Sequence, residues 1–460
     1  MSNWTFDLTP KNVSAVSTRW RRIATAIPVP ESLSIFKTLD ETESVSMHGQ
    51  MPIVWDKAEG CQVSDPWGNT WIDFTSTIFV ANVGHGNPEV IKALSRCLDR
   101  PLLHTYSYVN QERVDYLKTL VNVAPSNMGK AFLLSAGTEA TECALKLMRM
   151  YGQHKQKRRL GIICFEGNWH GRTMGAQMMS YNPKQKEWIG YLDPNIHHLP
   201  FPYPWQDIGN PAKFFEQSLK ALCEEKNLDP EQDICGFMLE TFQGWAAAFY
   251  PQEYVKAIRA FADRTGALVT FDEMQSGFGR TGKLFGFEHY DIKADILCCG
   301  KGISSSMPLS AVIASKEIMD LPDIGSMSST HSANPMACAG AHASLRVVLE
   351  EKLVDRSASL GTHMHKRLNE MLKKHPACFS HVLGEGLLAG LHFNTKDRRP
   401  LAALATDICE RAMQKGLILV HTGRESIKIG PPLTIPQEAL DEGLDVLSEC
   451  ITEAAEAAKL

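Results

Sequence analysis

The chain has 460 residues and a mass of 51.1 kDa, with 47 basic against 52 acidic side chains and a net charge of −5. Apolar residues make up 44% and charged residues 22% at a mean hydropathy of −0.18, which excludes collagen-like, disordered and coiled-coil classes. No stretch approaches the roughly eighteen uninterrupted apolar residues of a membrane span, and the acidic balance argues against a nucleic-acid partner.

From the N-terminus, residues 1–45 are polar and weakly periodic and read as an arm. Ile53-Val54-Trp55 and Trp71-Ile72-Asp73-Phe74 read as strands of a hairpin, separated by the Asp65-Pro66-Trp67-Gly68-Asn69 turn. Apolar runs at 131–134, 161–165, 234–239, 267–271, 295–299 and 309–314 suit buried strands. Helical patterns at 139–151, 212–226 and 251–265 lie between several of them. Such alternation predicts a mainly parallel α/β sheet with helices on both faces. After Asn334-Pro335 a helix is expected to about 351, then a strand near 387–393 and helices near 402–415 and 437–458. These predict a smaller α+β domain sharing its sheet with the N-terminal hairpin. The expected division is an arm (1–45), the N-terminal part of the small domain (46–85), a large domain (86–335) and a C-terminal small domain (336–460).

Twelve cysteines are scattered without a C-x-x-C pair, so neither a metal site nor a disulfide framework is expected. The N-terminus lacks the basic-then-apolar pattern of a secretory signal, and a reducing cytoplasmic setting follows. The terminal Ala458-Lys459-Leu460 is a near variant of the S-K-L peroxisomal address, which keeps the peroxisome as an alternative. The same tripeptide also arises by chance at the end of an Ala/Glu-rich helix.

Ligands of open α/β sheets bind beyond the carboxyl ends of the strands, so the residues that follow each strand matter most. Ser135-Ala136-Gly137-Thr138-Glu139-Ala140 can make a phosphate cup at a helix N-terminus, or a plain N-cap by Thr138. Asp272-Glu273 ends an apolar strand, where a carboxylate needs a cationic ligand atom or a structural salt bridge. Lys301, between Gly300 and Gly302, is either an ordinary surface lysine or a desolvated nucleophile. Gly277-Phe278-Gly279-Arg280-Thr281-Gly282 fits G-x-G-x-x-G, but Asp272 to Ser276 separate it from the strand and no helix follows. Dinucleotide binding is therefore rejected.

A phosphate cup, an acid for a ring nitrogen and a lysine nucleophile are the parts that pyridoxal 5′-phosphate requires. Six segments sharpen this: Gly84-His85-Gly86-Asn87-Pro88, Ser135–Ala140, Trp169-His170-Gly171, Phe271 to Gly282, Lys301, and Thr330-His331-Ser332-Ala333-Asn334-Pro335. In these, in order and over roughly Pro52 to the C-terminus, the chain resembles the class III (ω-type) aminotransferases of pyridoxal-phosphate fold type I. The resemblance implies a large domain with a mainly parallel seven-stranded sheet and a smaller α+β domain built from N- and C-terminal segments. It implies phosphate contacts from Gly137 and Thr138, and Trp169 stacked on the cofactor with Met274 on the opposite face. It places Asp272 at the pyridine nitrogen, Gln275 near the phenolic oxygen, and Lys301 in the Schiff base. Thr330 would reach the phosphate of the neighbouring subunit, which implies a homodimer with shared sites. Glu240 is carried over as a further cofactor contact, and Lys301, Asp272 and Trp169 are the residues expected to carry catalysis.

The chain also departs from the family pattern. In Glu240-Thr241-Phe242-Gln243-Gly244-Trp245, Trp245 stands where many members carry a switch glutamate. In Lys428-Ile429-Gly430-Pro431-Pro432-Leu433, Lys428 replaces a carboxylate-binding arginine and cannot form its bidentate fork. Trp245 beside Phe79 and Ile78 suits a bulkier or more apolar substrate, unless it simply packs between domains. Ile78 also stands where the decarboxylase branch uses a glutamine, and isoleucine donates no hydrogen bond. The expected activity is ping-pong transfer of an amino group from an amine or amino acid to a keto acid or aldehyde. An amino-acid epimerase or racemase, or a decarboxylase, of the same family is the alternative.

Overall fold

The computed structural model describes residues 4–460. Two compact units emerge. One comprises the chain as far as Asn87, Trp245–Ala247 and Asp355–Leu460; the other comprises Pro88–Gly244 and Ala248–Val354.

In the second unit the apolar runs pair into one seven-stranded sheet. Its order is Lys130–Leu134, Ser310–Ala314, Ile296–Cys299, Leu268–Asp272, Ile234–Glu240, Gly161–Phe165 and Ile196–Leu199. Ser310–Ala314 runs antiparallel to both neighbours, and the remaining pairs are parallel. The helix Gly137–His154 lays Ala140, Ala144, Leu147 and Met148 against Ile162, Met238, Ile296 and Val312 of this sheet. Each such buried aliphatic side chain is worth roughly 1.5–3 kcal/mol, so this face anchors the unit. Ile196–Leu199 is a strand that the apolar pattern does not reveal, because it reads Ile-His-His-Leu. Burial drives the His198 imidazole down to about 4, and its Nε2 pairs with Met179 O at 3.0 Å. The ring is thus accommodated uncharged.

The first unit corrects the expected hairpin. Ile53-Val54-Trp55 forms no strand: the Ile53 N–H turns back to Met51 O at 2.8 Å, and pairing with the neighbouring strand starts only at the Asp56 N–H, which reaches Ser64 O. The antiparallel pair begins at Lys57–Glu59, which returns through Gly60 (φ 57°) into Gln62–Ser64. The Asp65–Asn69 turn then leads into Thr70–Asp73, with Asp65 Oδ1 accepting the Trp67 and Asn69 N–H groups. The expected shared sheet is met in part. From the C-terminal part, Leu417–Ile418 joins the hairpin's sheet, parallel to Thr70–Asp73, and from the presumed arm Arg22–Ile23 joins it antiparallel. Phe379–Leu383, Ala389–Phe393, Ser426–Ile429 and Val420–His421 form a separate antiparallel sheet. The presumed arm carries a helix, Leu33–Thr42. Among the described residues no helix is long and apolar enough to cross a membrane.

One segment of this unit is strained. Ser76, Thr77, Ile78 and Phe79 all take positive φ, between 47° and 69°, without a glycine among them. They make one turn of left-handed helix, a conformation that costs L-residues roughly 1–2 kcal/mol each. The Thr77 N–H reaches Thr75 Oγ1 at 3.0 Å, and the Val80 and Ala81 N–H groups both reach Ser76 O.

Candidate active site

Three adjacent strands of the seven-stranded sheet end on ionisable residues. In register, Asp272 lies beside Glu240 on one side and Cys298 on the other, and Lys301 follows three residues after Cys298. Asp272 is buried. Its Oδ1 accepts the Met274 N–H at 3.1 Å, and its Oδ2 lies 2.9 Å from His170 Nδ1. His170 Nε2 is buried and makes no hydrogen bond of its own. His170 is therefore the partner that orients the acid, a role the sequence did not disclose although His170 lay inside a quoted motif.

Glu273 resolves the other half of the acidic pair. It is fully buried, and its oxygens accept Thr241 Oγ1, Ser276 Oγ and the N–H groups of Gly286 and Phe287 at 2.6–2.8 Å. Neither the cationic ligand nor the salt bridge applies to it. Neutral donors hold it as a structural carboxylate, while burial raises its pKa.

Lys301 opens a short turn, Lys301–Ile303, at φ 47°. Burial lowers its amine pKa, and the charges of Asp272 and Glu240 pull it partly back. That is the environment of a reactive amine, not of a surface lysine. Glu240 Oε2 accepts the N–H groups of Trp169 at 3.0 Å and Gly244 at 3.1 Å. Burial pushes Glu240 up to about 7; His170 opposes this and Asp272 adds to it.

Glu240 has a measurable consequence in the cofactor-free protein. Its pKa is about 7 folded against an ordinary 4.5, so the folded chain holds this proton to higher pH than the unfolded chain. The stability it confers is full below pH 4.5 and is lost as the pH climbs to about 7. Glu240→Gln cannot ionise, and relative to the native protein it should gain up to roughly 3 kcal/mol across that window. Thermal midpoints of the two apo proteins measured against pH test this; parallel curves would refute the buried-acid account.

On the phosphate side, the N-cap of Gly137–His154 is Ala136, not Thr138. Glu139 Oε2 takes the Ser135 and Ala136 N–H groups, and Ser310 Oγ binds Ala136 O at 2.8 Å. The first-turn N–H groups of Gly137 and Thr138 thus open a braced helix N-terminus, where an anion is stabilised. Thr138 Oγ1 lies 2.6 Å from Thr173 Oγ1, which Glu142 Oε1 holds in turn. Thr330 is exposed, four residues before the Asn334 N-cap of the helix Pro335–Glu350.

Met274 Sδ would lie 2.9 Å from a Cβ on Gly137 and 2.4 Å from one on Gly300. Only two glycines leave room for that thioether between the phosphate turn and the lysine. Trp169 is half-buried, and the Arg172 guanidinium lies 4.5 Å from its ring centroid. The Gln275 amide and a Glu240 oxygen both crowd the position that a Gly244 side chain would take. The structure thus brings together Gly137, Thr138, Trp169, Glu240, Asp272, Met274, Gln275 and Lys301 around the carboxyl ends of one sheet. An acid, a lysine, a braced helix N-terminus and an aromatic ring are the donor set that pyridoxal 5′-phosphate needs, so the residues present fit it.

The expected substrate residues all fall in the other unit, in two groups. Lys428 Nζ lies 5.0 Å from the centroid of the Phe79 ring, and both residues are buried; Ile78 beside them is half-buried. Trp245 packs face-on against the Arg424 guanidinium, 3.6 Å from its ring centroid, and edge-on to His392 at 5.6 Å.

The comparisons with known proteins agree with this geometry. A family model described as Aminotransferase class-III matches residues 44–451. The mitochondrial ornithine aminotransferase of Arabidopsis thaliana is 31% identical over 427 residues, covering 92% of this chain and 86% of that protein. The alanine/serine racemase of Pyrococcus horikoshii is 29% identical over 462 residues, covering 97% and 96%. The crystal structure of the ornithine aminotransferase from Toxoplasma gondii ME49 matches with a TM-score of 0.81 at 25% identity, covering 93% of this chain and 96% of that one.

Proposed function

The chain belongs to the class III aminotransferases, and from that premise we propose that Lys301 is its reactive amine, Asp272 its ring acid and Trp169 its stacking residue. Pyridoxal 5′-phosphate, on which the family depends, supplies a carbonyl that amines condense with and a ring that draws electrons from the neighbouring carbon. The observation that carries the assignment is the register of Asp272 between Glu240 and Cys298, which gathers the acid and Lys301 at adjacent strand ends.

Lys301 Nζ, its pKa lowered by burial, acts as nucleophile and then as general base for the substrate Cα proton. Asp272, oriented by His170 and the Met274 N–H, holds a proton at the ring nitrogen. Gly137 and Thr138 take the phosphate, Trp169 and Met274 bracket the ring, and Gln275 and Glu240 border its phenolic side. On the substrate side, Lys428 meets a carboxylate as a point charge. Trp245, Phe79 and Ile78 favour apolar donors over glutamate. A panel of L-alanine, L-leucine, L-phenylalanine, L-glutamate and L-ornithine with 2-oxobutyrate as acceptor tests this. Leucine or phenylalanine should outpace glutamate, and preference for glutamate would sink the apolar assignment.

The Pyrococcus relative gives a second reading, since racemisation also begins with loss of the Cα proton. Chiral analysis of one amino acid with and without keto acid separates the two. Inversion without any keto acid would favour the racemase.

A homodimer with shared sites is part of the same proposal. Support comes from a run of exposed apolar side chains, Leu98, Leu102, Leu103, Tyr106, Tyr108 and Val109, the last two 79% and 76% exposed. So many exposed apolar side chains within one short stretch of chain suit an association site. Light scattering should give twice the 51.1 kDa chain mass. Tyr108→Glu with Val109→Glu should halve that mass and weaken cofactor retention, because Thr330 then loses its partner. A native monomer would refute the shared site.

A further inference from the structure

Thr138 and Glu142 stand four residues apart on one face of the helix Gly137–His154, and the chain from Gly171 to Ala176 lies across both. Two glycines permit that approach. A Cβ on Gly171 (φ 139°) would sit 2.3 Å from Thr138 Oγ1, and one on Gly175 would sit 3.2 Å from Glu142 Cδ. Three donors converge on Glu142 Oε1: the Thr173 hydroxyl at 2.6 Å and the N–H groups of Gly175 at 2.8 Å and Ala176 at 3.2 Å. Thr173 Oγ1 also lies 2.6 Å from Thr138 Oγ1, and the Thr173 N–H reaches Thr138 Oγ1 at 3.3 Å. All of these residues belong to the unit that carries Lys301 and Asp272.

Counting protons fixes the direction of this chain of hydrogen bonds. A carboxylate only accepts, and each threonine hydroxyl has one proton to give. Thr173 gives its proton to Glu142, so the contact between the two hydroxyls is a donation from Thr138 to Thr173. The Thr138 hydroxyl thus spends its proton within the protein and has none left for an anion at the helix N-terminus.

We propose that Thr173, held by Glu142, is an internal acceptor that competes with the cofactor phosphate for the Thr138 proton and so lowers the affinity of the cup. The inference rests on the aminotransferase assignment above and adds the residues that tune how firmly the phosphate is held. To meet a phosphate oxygen, the Thr138 O–H turns about its C–O bond away from Thr173. No covalent bond breaks: Thr173 keeps its proton on Glu142, and its N–H stays on Thr138 Oγ1. Thr173 and Glu142 are therefore positioning residues that act through Thr138. A plain brace has the opposite sign, because deleting the Thr173 hydroxyl would then weaken phosphate binding.

The test titrates the cofactor-free protein with pyridoxal 5′-phosphate, with pyridoxal, which lacks the phosphate, and with inorganic phosphate. Thr173 is exposed, and Thr173→Val keeps its shape and backbone N–H while offering no acceptor. Its Kd for pyridoxal 5′-phosphate should fall about threefold to tenfold, the worth of one hydroxyl hydrogen bond, and that for inorganic phosphate by a similar factor. Its Kd for pyridoxal should stay within about twofold of native. Thr173→Ser restores the acceptor and should bind all three within about twofold of native. In a Thr138→Val background, adding Thr173→Val should move the Kd for pyridoxal 5′-phosphate less than about twofold, because the contested proton is gone.

A rise in that Kd in Thr173→Val, or a fall smaller than about threefold, would overturn the competition. An equal fall for pyridoxal would overturn it as well. Native protein that takes up pyridoxal 5′-phosphate without any absorbance that Lys301→Ala removes overturns the site assignment and this inference together. Thr173→Val leaves that absorbance in place, so the two failures are told apart.

Discussion

Lys301→Ala is expected to lower transamination by at least about 10³-fold, because it removes both the nucleophile and the general base. The cofactor-loaded variant should also lose the visible absorbance near ~420 nm that depends on a lysine bound to the cofactor. Loss of fold is not the cause expected. The native amine is desolvated enough to depress its pKa, so the folded protein carries an unfavourable group there. It also occupies a left-handed backbone position. Removing the amine should leave the thermal midpoint of the apo protein unchanged or higher, the usual pattern when a reactive group is deleted. Lys301→Arg provides the complementary control. It keeps a cation near Asp272 and Glu240, but its guanidinium stays protonated at any working pH. Activity should fall as far as in the alanine variant. If Lys301→Arg retained more than about a tenth of native turnover, charge rather than a free amine would be the requirement, and the assignment of Lys301 would fail.

Much of this site could be read without coordinates because its chemistry sits where strands end, and buried strands of the central sheet are apolar runs. Leu268–Asp272 and Ile296–Cys299 were legible for that reason, and with them Asp272 and Lys301. Ile196–Leu199 was hidden because a histidine kept neutral by burial looks polar in a sequence. Ile53-Val54-Trp55 misled in the opposite way: its apolar residues suit a strand, but the turn at Gly60 sets the pairing further along. The split between Asp272 and Glu273 could not be read either. Adjacent carboxylates point to opposite sides of a strand end, and only the positions of Thr241, Ser276, Gly286 and Phe287 show which one is enclosed by donors. The left-handed turn left no trace, since none of its four residues is the glycine that such a backbone usually takes.

Asp272→Asn is the second large effect, expected at about 10³-fold in kcat, the scale of losing a preorganised charge beside the reacting centre. Asparagine preserves the shape, so the Met274 N–H and His170 Nδ1 keep a neighbour at the positions they occupy now. What vanishes is the negative charge that favours a proton on the ring nitrogen. Without it that nitrogen protonates only at lower pH, so the alkaline limb of the kcat profile should move toward acid. Two further shifts have signs fixed by the surroundings. Asp272 raises the pKa of both Lys301 and Glu240, so its removal should lower both. Titration of Lys301 in the apo protein, followed by the rate of amine modification against pH, would register its drop. His170→Phe makes a graded comparison, because it leaves the carboxylate charged but unoriented. Its kcat should fall by about 10-fold to 10²-fold, with little movement of the alkaline limb. An Asp272→Asn enzyme whose alkaline limb stays in place would show that Asp272 braces His170 and Met274 and holds no proton on the ring.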